Sequence, residues 1–103
     1  MADEAAVFAA LADGTRRRVL EHLRDGGEHS VAELTGRLPV SQSAVSQHLR
    51  VLREAGLVTG RTSGTRHLYR VDRDGLSTLR AYVDRFWDDV LGAFTSYAEG
   101  GDR

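Results

Sequence analysis

The sequence predicts a mainly α-helical domain that carries one β-hairpin, and three observations support this fold class. Apolar residues recur at helical spacing over most of the 103 residues. β-branched and aromatic residues cluster in the segment 57–71, around the turn signal Ser63-Gly64. A long apolar stripe runs through the last part of the chain, from about residue 74 to residue 98. A chain of this length has room for one modest core, so residues 1–103 are treated as a single domain.

The segment from Ser41, a suitable N-cap, to Gly56, a suitable left-handed helix end, is predicted to form an amphipathic helix. Val45, Leu49 and Leu52 fall at i, i+4 and i+7 and therefore form one apolar stripe. The opposite side shows no acid and presents residue types that hydrogen-bond bases and phosphates, as a recognition helix does. Any amphipathic surface helix shares this periodicity, so the neighbouring segments have to show whether this one is a recognition helix. The polar side consists of Ser43, Ser46, Gln47 and Arg50.

Two further helices are predicted near the N-terminus. An Ala-rich helix over residues 3–12 has Phe8 and Leu11 as its expected buried anchors. The next helix, over residues 15–24, follows a break and cap supplied by Asp13-Gly14-Thr15 and carries three consecutive arginines in its first turn. Cations are unfavourable there because of the helix dipole, so we expect at least one to have an acid or a phosphate as its partner.

A helix-turn-helix is predicted over residues 30–56. Ser30 and Glu33 have the spacing of a capping box, which opens a short helix ending near Leu38. Pro39 ends this helix, and the amphipathic helix described above follows within a few residues. Two helices joined by so short a turn, the second polar on its outer face, form a helix-turn-helix.

The hairpin of residues 57–71 follows directly, and a helix-turn-helix with such a hairpin is a winged helix. The loop of the hairpin is placed at residues 60–65, with Arg61 and Arg66 flanking its tip. An isolated hairpin is marginal in water, so this wing must pack on the helices before it.

The helix of residues 74–98 carries more apolar surface than a small core readily covers. It either folds back and is buried, or forms a homodimer interface together with the N-terminal segment 1–14. We favour the dimer, because a two-fold protein reading two half-sites is the usual geometry for this motif. Residues 99–103 are expected to fray. The predicted interface consists of Phe8, Leu11, Leu79, Val83, Phe86, Trp87, Val90 and Phe94.

The charge distribution favours nucleic acid as a partner although the formal net charge is −1. Residues 41–70 hold five arginines and one acid, Glu54, whereas the segments on both sides are net acidic. A binder needs a local positive field, and Arg pairs with phosphates and guanine edges in a bidentate fork. The alternative reading is an ordinary solvated face.

Several function classes are excluded or disfavoured. The chain has no Cys, and it has neither an apolar run long enough for a bilayer nor a signal peptide, so we expect a cytoplasmic protein without membrane contact. An enzyme is not expected, because Ser46 and His48 diverge by about 200° on a helix. Neither a phosphate-binding loop nor a metal-ligand cluster is present in the sequence.

The blocks ALADGTRRRVLEHL, SVAELTGRLPVSQSAVSQHLRVLREAGLV and GTRHLYRV together resemble the ArsR/SmtB family of bacterial winged-helix repressors. The resemblance extends from about Val7 to Phe94. It implies a homodimer joined through its first and last helices, with the SQSAVSQHL helix in the major groove and the wing on adjacent backbone or minor groove. It also implies repression of a promoter, often the protein's own.

The sequence departs from the metal-sensing members of that family. The Cys motif of the soft-metal sensors is absent, and no His follows His67, so the imidazoles of the zinc site are missing. The chain therefore looks like the metal-free branch, with no cofactor and an unknown effector. A non-standard metal site using His22 or His29, the latter placed in a loop, stays open.

The leading hypothesis is a sequence-specific, dimeric DNA-binding repressor acting on an inverted-repeat operator in double-stranded DNA. The alternative is a winged-helix interaction module that docks a partner protein through its C-terminal apolar helix. The residues expected to contact DNA are Gln42, Ser43, Ser46, Gln47, Arg50, Arg61 and Arg66.

Overall fold

The computed structural model describes residues 2–100, and the side chains of residues 2–98. A three-stranded antiparallel sheet with strand order β1-β3-β2 lies among five helices. The last helix includes Gly100, and the fraying expected of residues 101–103 lies outside the described residues. The elements are α1 (Glu4–Leu11), α2 (Gly14–Glu21), β1 (His29–Ser30), α3 (Val31–Arg37), α4 (Gln42–Glu54), β2 (Val58–Ser63), β3 (Arg66–Val71) and α5 (Arg73–Gly100).

The predicted helix starts at Asp13, Ser30 and Ser41 are confirmed by their hydrogen bonds. Asp13 accepts the Arg16 amide at 3.0 Å, which begins α2. Ser30 and Glu33 form a reciprocal capping box at the start of α3, with donor–acceptor distances of 3.1 and 3.3 Å. Because caps satisfy amides that a helix cannot bond internally, these short polar side chains define where the helices begin.

The core confirms the predicted apolar stripe of α4 but corrects the one of α1. Val45, Leu49 and Leu52 are completely buried among side chains from α1, α2, α3 and β2. In α1, the buried residues are Val7 and Ala10 rather than the expected anchors. The expected anchors lie elsewhere, since Phe8 turns towards α5 and Leu11 is half-buried at the edge of the core.

The sheet contains one strand that the sequence did not predict. His29, expected in a loop, and Ser30, expected as the cap of the following helix, form β1 and pair with Tyr69 and Leu68 of β3. A two-residue strand is too short to show a periodic pattern, so only the pairing reveals it.

The wing is also longer than expected, because most of the predicted loop 60–65 is strand. Ser63 pairs with Arg66 across a two-residue turn, Gly64-Thr65. Gly64 has φ +64°, which is the conformation that the first central residue of a type II′ turn requires.

α5 is a 28-residue helix that makes the molecule elongated, with extents of 69 × 27 × 22 Å. Its first turn presses on the α4–β2 turn, where the Gly75 amide donates to the Gly56 carbonyl at 2.8 Å. A Cβ at Gly75 would lie 2.5 Å from that carbonyl oxygen, so only glycine permits this approach. Beyond this contact and its packing on α1, the helix projects from the core. Within residues 2–100, none of the helices is long and apolar enough to cross a membrane.

Candidate nucleic-acid interface

The polar face of α4 is held outward by the burial of its opposite face. Gln42, Ser43, Ser46, Gln47 and Arg50 are all exposed, as predicted for a surface available to a partner. The Ser41 hydroxyl caps the helix by accepting the Ala44 amide at 3.2 Å, so the N-terminal end of this face has a defined position. A rigid helix of this kind presents its side chains at fixed spacings, which is what recognition of base edges requires.

One acid shares this face, contrary to the expectation. Glu54 lies one turn beyond Arg50, and the Arg50 Nε atom is 3.6 Å from the Glu54 carboxylate. Exposed i,i+4 ion pairs contribute only a few tenths of a kcal/mol, so Arg50 exchanges this partner for another anion at small cost.

The wing holds its two predicted arginines in different environments. Arg61 forms a bidentate pair with Glu28, at 2.6 and 2.8 Å, and this pairing raises the pKa of Arg61 and lowers that of Glu28. Arg66 lies beside the hairpin tip, is well exposed, and is 3.8 Å from Glu33. Arg66 is therefore the freer of the two cations, whereas Arg61 is tied to the segment before β1.

His29 bridges two carboxylates behind the wing. Its Nε2 lies 2.8 Å from Asp25 and its Nδ1 lies 3.1 Å from Glu33, with the imidazole largely buried. Hydrogen bonds first to Asp25 and then to Glu33 raise the pKa of His29, because both carboxylates favour the imidazolium form. The sequence placed these three residues in separate segments and did not predict the cluster. Within residues 2–100, no three His, Cys, Asp or Glu side chains are arranged to hold a metal ion.

Two of the three arginines at the start of α2 donate hydrogen bonds to backbone carbonyls. The Arg16 Nε donates to the Ala10 carbonyl at 2.8 Å, and Arg17 donates to the Leu11 carbonyl at 2.7 Å. Both carbonyls belong to the C-terminal turn of α1, where the helix dipole is negative and carbonyls lack helical partners. Arg16 and Arg17 therefore join α1 to α2 through these carbonyls instead of pairing with an acid, and the contact of one of the three arginines with a phosphate stays a prediction.

α1 and α5 form one layer with a large apolar outer surface. Phe8 meets Tyr82 edge-to-face at 4.8 Å between ring centroids, and Tyr82 stacks on Phe86 at 6.5 Å. Arg85 donates to Glu4 at 2.7 Å across the same two helices. The alternative in which this helix folds back and is buried is wrong, because the large apolar side chains of α5 stay exposed. Tyr82 also belongs to this surface and was not predicted from the sequence. The exposed ones are Leu76, Tyr82, Val83, Phe86, Trp87, Leu91, Phe94 and Tyr97.

This arrangement, a helix-turn-helix followed by a β-hairpin wing that pairs with the short strand β1, defines the class of winged helix-turn-helix proteins. Residues 11–61 match a family model described as a helix-turn-helix domain. The chain is 52% identical over 92 residues to the HTH-type transcriptional regulator Rv2034 of Mycobacterium tuberculosis, covering 89% of this chain and 82% of that protein. It is 36% identical over 72 residues to the arsenical resistance operon repressor of Bacillus subtilis, covering 70% and 69% respectively.

A solved structure shows the same architecture. The homodimeric winged helix-turn-helix DNA-binding domain Mb0332 from Mycobacterium bovis, described as a possible ArsR-family transcriptional regulator, matches with a TM-score of 0.66 and 33% identity. The match covers 82% of this chain and 78% of that one. The chain belongs to the ArsR/SmtB family of winged helix-turn-helix transcriptional regulators, as the resemblance implied.

Proposed function

We propose that this regulator is a dimeric repressor that binds an inverted-repeat operator in double-stranded DNA. The observation that carries the proposal is the exposed polar face of α4, which is fixed by a fully buried apolar face and flanked by the wing. Residues 30–56 serve as the helix-turn-helix and residues 57–71 as the wing. Binding in front of or across a promoter would then exclude polymerase, including at the protein's own promoter.

Within the α4 face, different side chains take different parts in DNA binding. Gln47 suits the paired donor and acceptor of adenine, and Arg50 suits guanine or a phosphate. Gln42, Ser43 and Ser46 add hydrogen bonds to base edges or backbone near the start of the helix.

The two wing arginines contribute unequally. Arg66 contacts phosphate or the minor groove directly, because it is exposed at the tip. Arg61 contributes less, since its guanidinium is already engaged by Glu28. Its main role is to keep the wing at a fixed distance from the segment before β1.

The dimer is proposed to form through residues 1–14 and 74–98. Most of their large apolar side chains are exposed on a single chain, whereas Leu11, Leu79 and Val90 are partly buried, and exposed apolar surface of this extent is uncommon on monomers. The related Mb0332 domain is described as homodimeric, which supports the same assembly here. The interface would consist of Phe8, Leu11, Leu79, Val83, Phe86, Trp87, Val90 and Phe94.

A second candidate function is a protein-interaction module that docks a partner on the same α5 surface. The exposed apolar surface of α5 favours this second function. The exposed polar face of α4 argues against it, because a module that does not bind DNA would not need such a face. The two functions differ in whether the purified protein selects DNA.

Selection of bound DNA from a random pool tests the proposal. We expect an inverted repeat whose half-sites lie about one helical turn apart. In the selected site, Gln47→Ala should change the preference at one base pair by about 1–3 kcal/mol, whereas Arg66→Ala should weaken binding to all sequences and flatten the salt dependence. Enrichment of no sequence at low salt, or equal losses on operator and random DNA for Gln47→Ala, would contradict direct readout.

A further inference from the structure

A cleft of about 530 Å³ lies where the end of α2, the base of the wing and the start of α5 meet. Its floor is apolar and is formed by Leu20, Val71 and Leu76. Thr59 of β2 and the backbone of Gly26 contribute to its walls. The volume falls in the range of about 300–1,000 Å³ that is usual for small-molecule sites.

The rim of this cleft carries an excess of positive charge. Arg24, Arg70 and Arg73 line it, and among the side chains of residues 2–98 none of the three has a hydrogen-bond or close ion-pair partner, although Glu28 interacts electrostatically with Arg70 from outside the cleft. The acid that lines it, Asp72, is engaged elsewhere, because its carboxylate accepts the Asp74 amide at 2.9 Å at the start of α5. Three arginines therefore line one cleft together with a single acid, and Arg70 also borders the neighbouring pocket that contains Glu28.

We propose that the cleft binds a small organic carboxylate with an apolar body. Guanidinium groups pair with a carboxylate through two parallel hydrogen bonds, which fixes the anionic end of a ligand at the rim. The apolar floor then removes the body of the same ligand from water. A phosphodiester backbone fits poorly, since it offers no apolar part to cover Leu20, Val71 and Leu76.

The location separates this cleft from the proposed DNA contacts. Arg70 is near the base of β3, about 13 Å along the strand from Arg66 at the tip, by the rise of an extended chain. Neither the α4 face nor the tip of the wing lines the cleft. A ligand there is consequently compatible with DNA bound at α4.

The test uses 3-phenylpropionate as the probe, titrated into the full chain and followed by backbone amide chemical shifts. We expect saturable shifts around Arg24, Thr59 and Arg70, with none centred on Trp87 or Phe94 of the exposed α5 surface. Two matched compounds divide the probe into its parts. The neutral 3-phenylpropanamide lacks the charge and acetate lacks the apolar body, so each should bind at least about tenfold more weakly.

Matched variants then locate the anion. The double variant Arg24→Gln/Arg73→Gln should weaken 3-phenylpropionate binding at least about tenfold, whereas Arg18→Gln, an exposed arginine of α2 outside the cleft, should leave it unchanged. All three positions are exposed, so folded spectra are expected, and Arg24→Gln alone repeats the test without altering a helix.

Equal binding of acid and amide, shifts centred on α5, or an unaffected double variant would overturn the proposal. The titration contains no DNA, so its outcome is independent of the proposed function.

Discussion

α4 and α5 are both amphipathic helices, yet this chain covers the apolar face of only one of them. Val45, Leu49 and Leu52 of α4 have no exposed surface, whereas Phe86 and Phe94 of α5 are 60% and 67% exposed. α4 is surrounded by α1, α2, α3 and β2, while α5 meets mainly α1 and then projects beyond the core. A periodic apolar stripe therefore shows that a face needs a partner, but does not show whether the same chain supplies it.

The difference also separates two kinds of stabilisation. Burial of the α4 stripe contributes to folding of the single chain, so its energy is independent of protein concentration. Burial of the α5 stripe would contribute only when a second surface covers it, so its energy would depend on concentration. The same substitution placed in the two helices should therefore give different results.

The largest effect is expected for Leu49→Ala compared with Leu91→Ala. Leu49 is fully buried and Leu91 is 45% exposed, so Leu49→Ala should lower the free energy of unfolding by about 2–5 kcal/mol at every protein concentration. Leu91→Ala should have a smaller effect that disappears on dilution. Denaturant unfolding at several concentrations measures both. A loss for Leu91→Ala as large and as independent of concentration as that for Leu49→Ala would show that α5 is covered by its own chain.

Phe86→Asp should cause the next largest effect, on assembly rather than on folding. A buried aromatic residue at the centre of an interface commonly contributes 2 kcal/mol or more, so the dimer Kd should rise by roughly thirtyfold or more. Sedimentation equilibrium measures this change. Thr95→Asp, on an exposed position about 180° round the helix, is the matched control and should leave the Kd almost unchanged. A single-subunit wild-type protein at micromolar concentration would remove the basis of the dimer.

The smallest predicted effect is a pH dependence of the free energy of unfolding that arises from His29 in β1. The hydrogen bonds of His29 to Asp25 and Glu33 raise its pKa in the folded chain above the ordinary 6.5. The contribution of the protonated His29 to the free energy of unfolding is therefore complete below pH 6.5. It is lost as the pH rises through the pKa of His29 in the folded chain. The free energy of unfolding should decline from pH 6 towards alkaline pH more steeply in the wild type than in His29→Gln. α5 contains no His, so this difference should not change with dimerisation.

Parallel profiles for wild type and His29→Gln would mean that the imidazolium bridge adds nothing to stability. The partners are exposed carboxylates, so screening by water and salt keeps the effect small. Chemical denaturation across the pH range, at fixed salt and protein concentration, makes the comparison.

Local sequence features were sufficient to predict the starts of α2, α3 and α4, the apolar stripe of α4 and the presence of a wing. Each of these follows from a local rule, since a cap acts within three residues and a stripe repeats every three or four. Ser30 and Ser41 could be assigned in this way because their capping partners lie within three residues, and Leu49 because its spacing shows which face of α4 is apolar, although distant elements supply its burial. The polar face of α4 followed from the same periodicity, although the expectation that this face has no acid was wrong at Glu54.

Contacts between residues that are distant along the chain became visible in the folded molecule alone. Arg61 finds Glu28, Arg17 finds the end of α1, and Gly75 lies against Gly56 because the chain folds these segments together. Because Glu28 lies outside residues 41–70 and pairs with Arg61, it partly neutralises in the folded molecule the positive charge that this segment carries along the sequence. The physical reason is that ion pairing, close backbone approach and solvent exposure depend on separation in space, which local spacing does not encode.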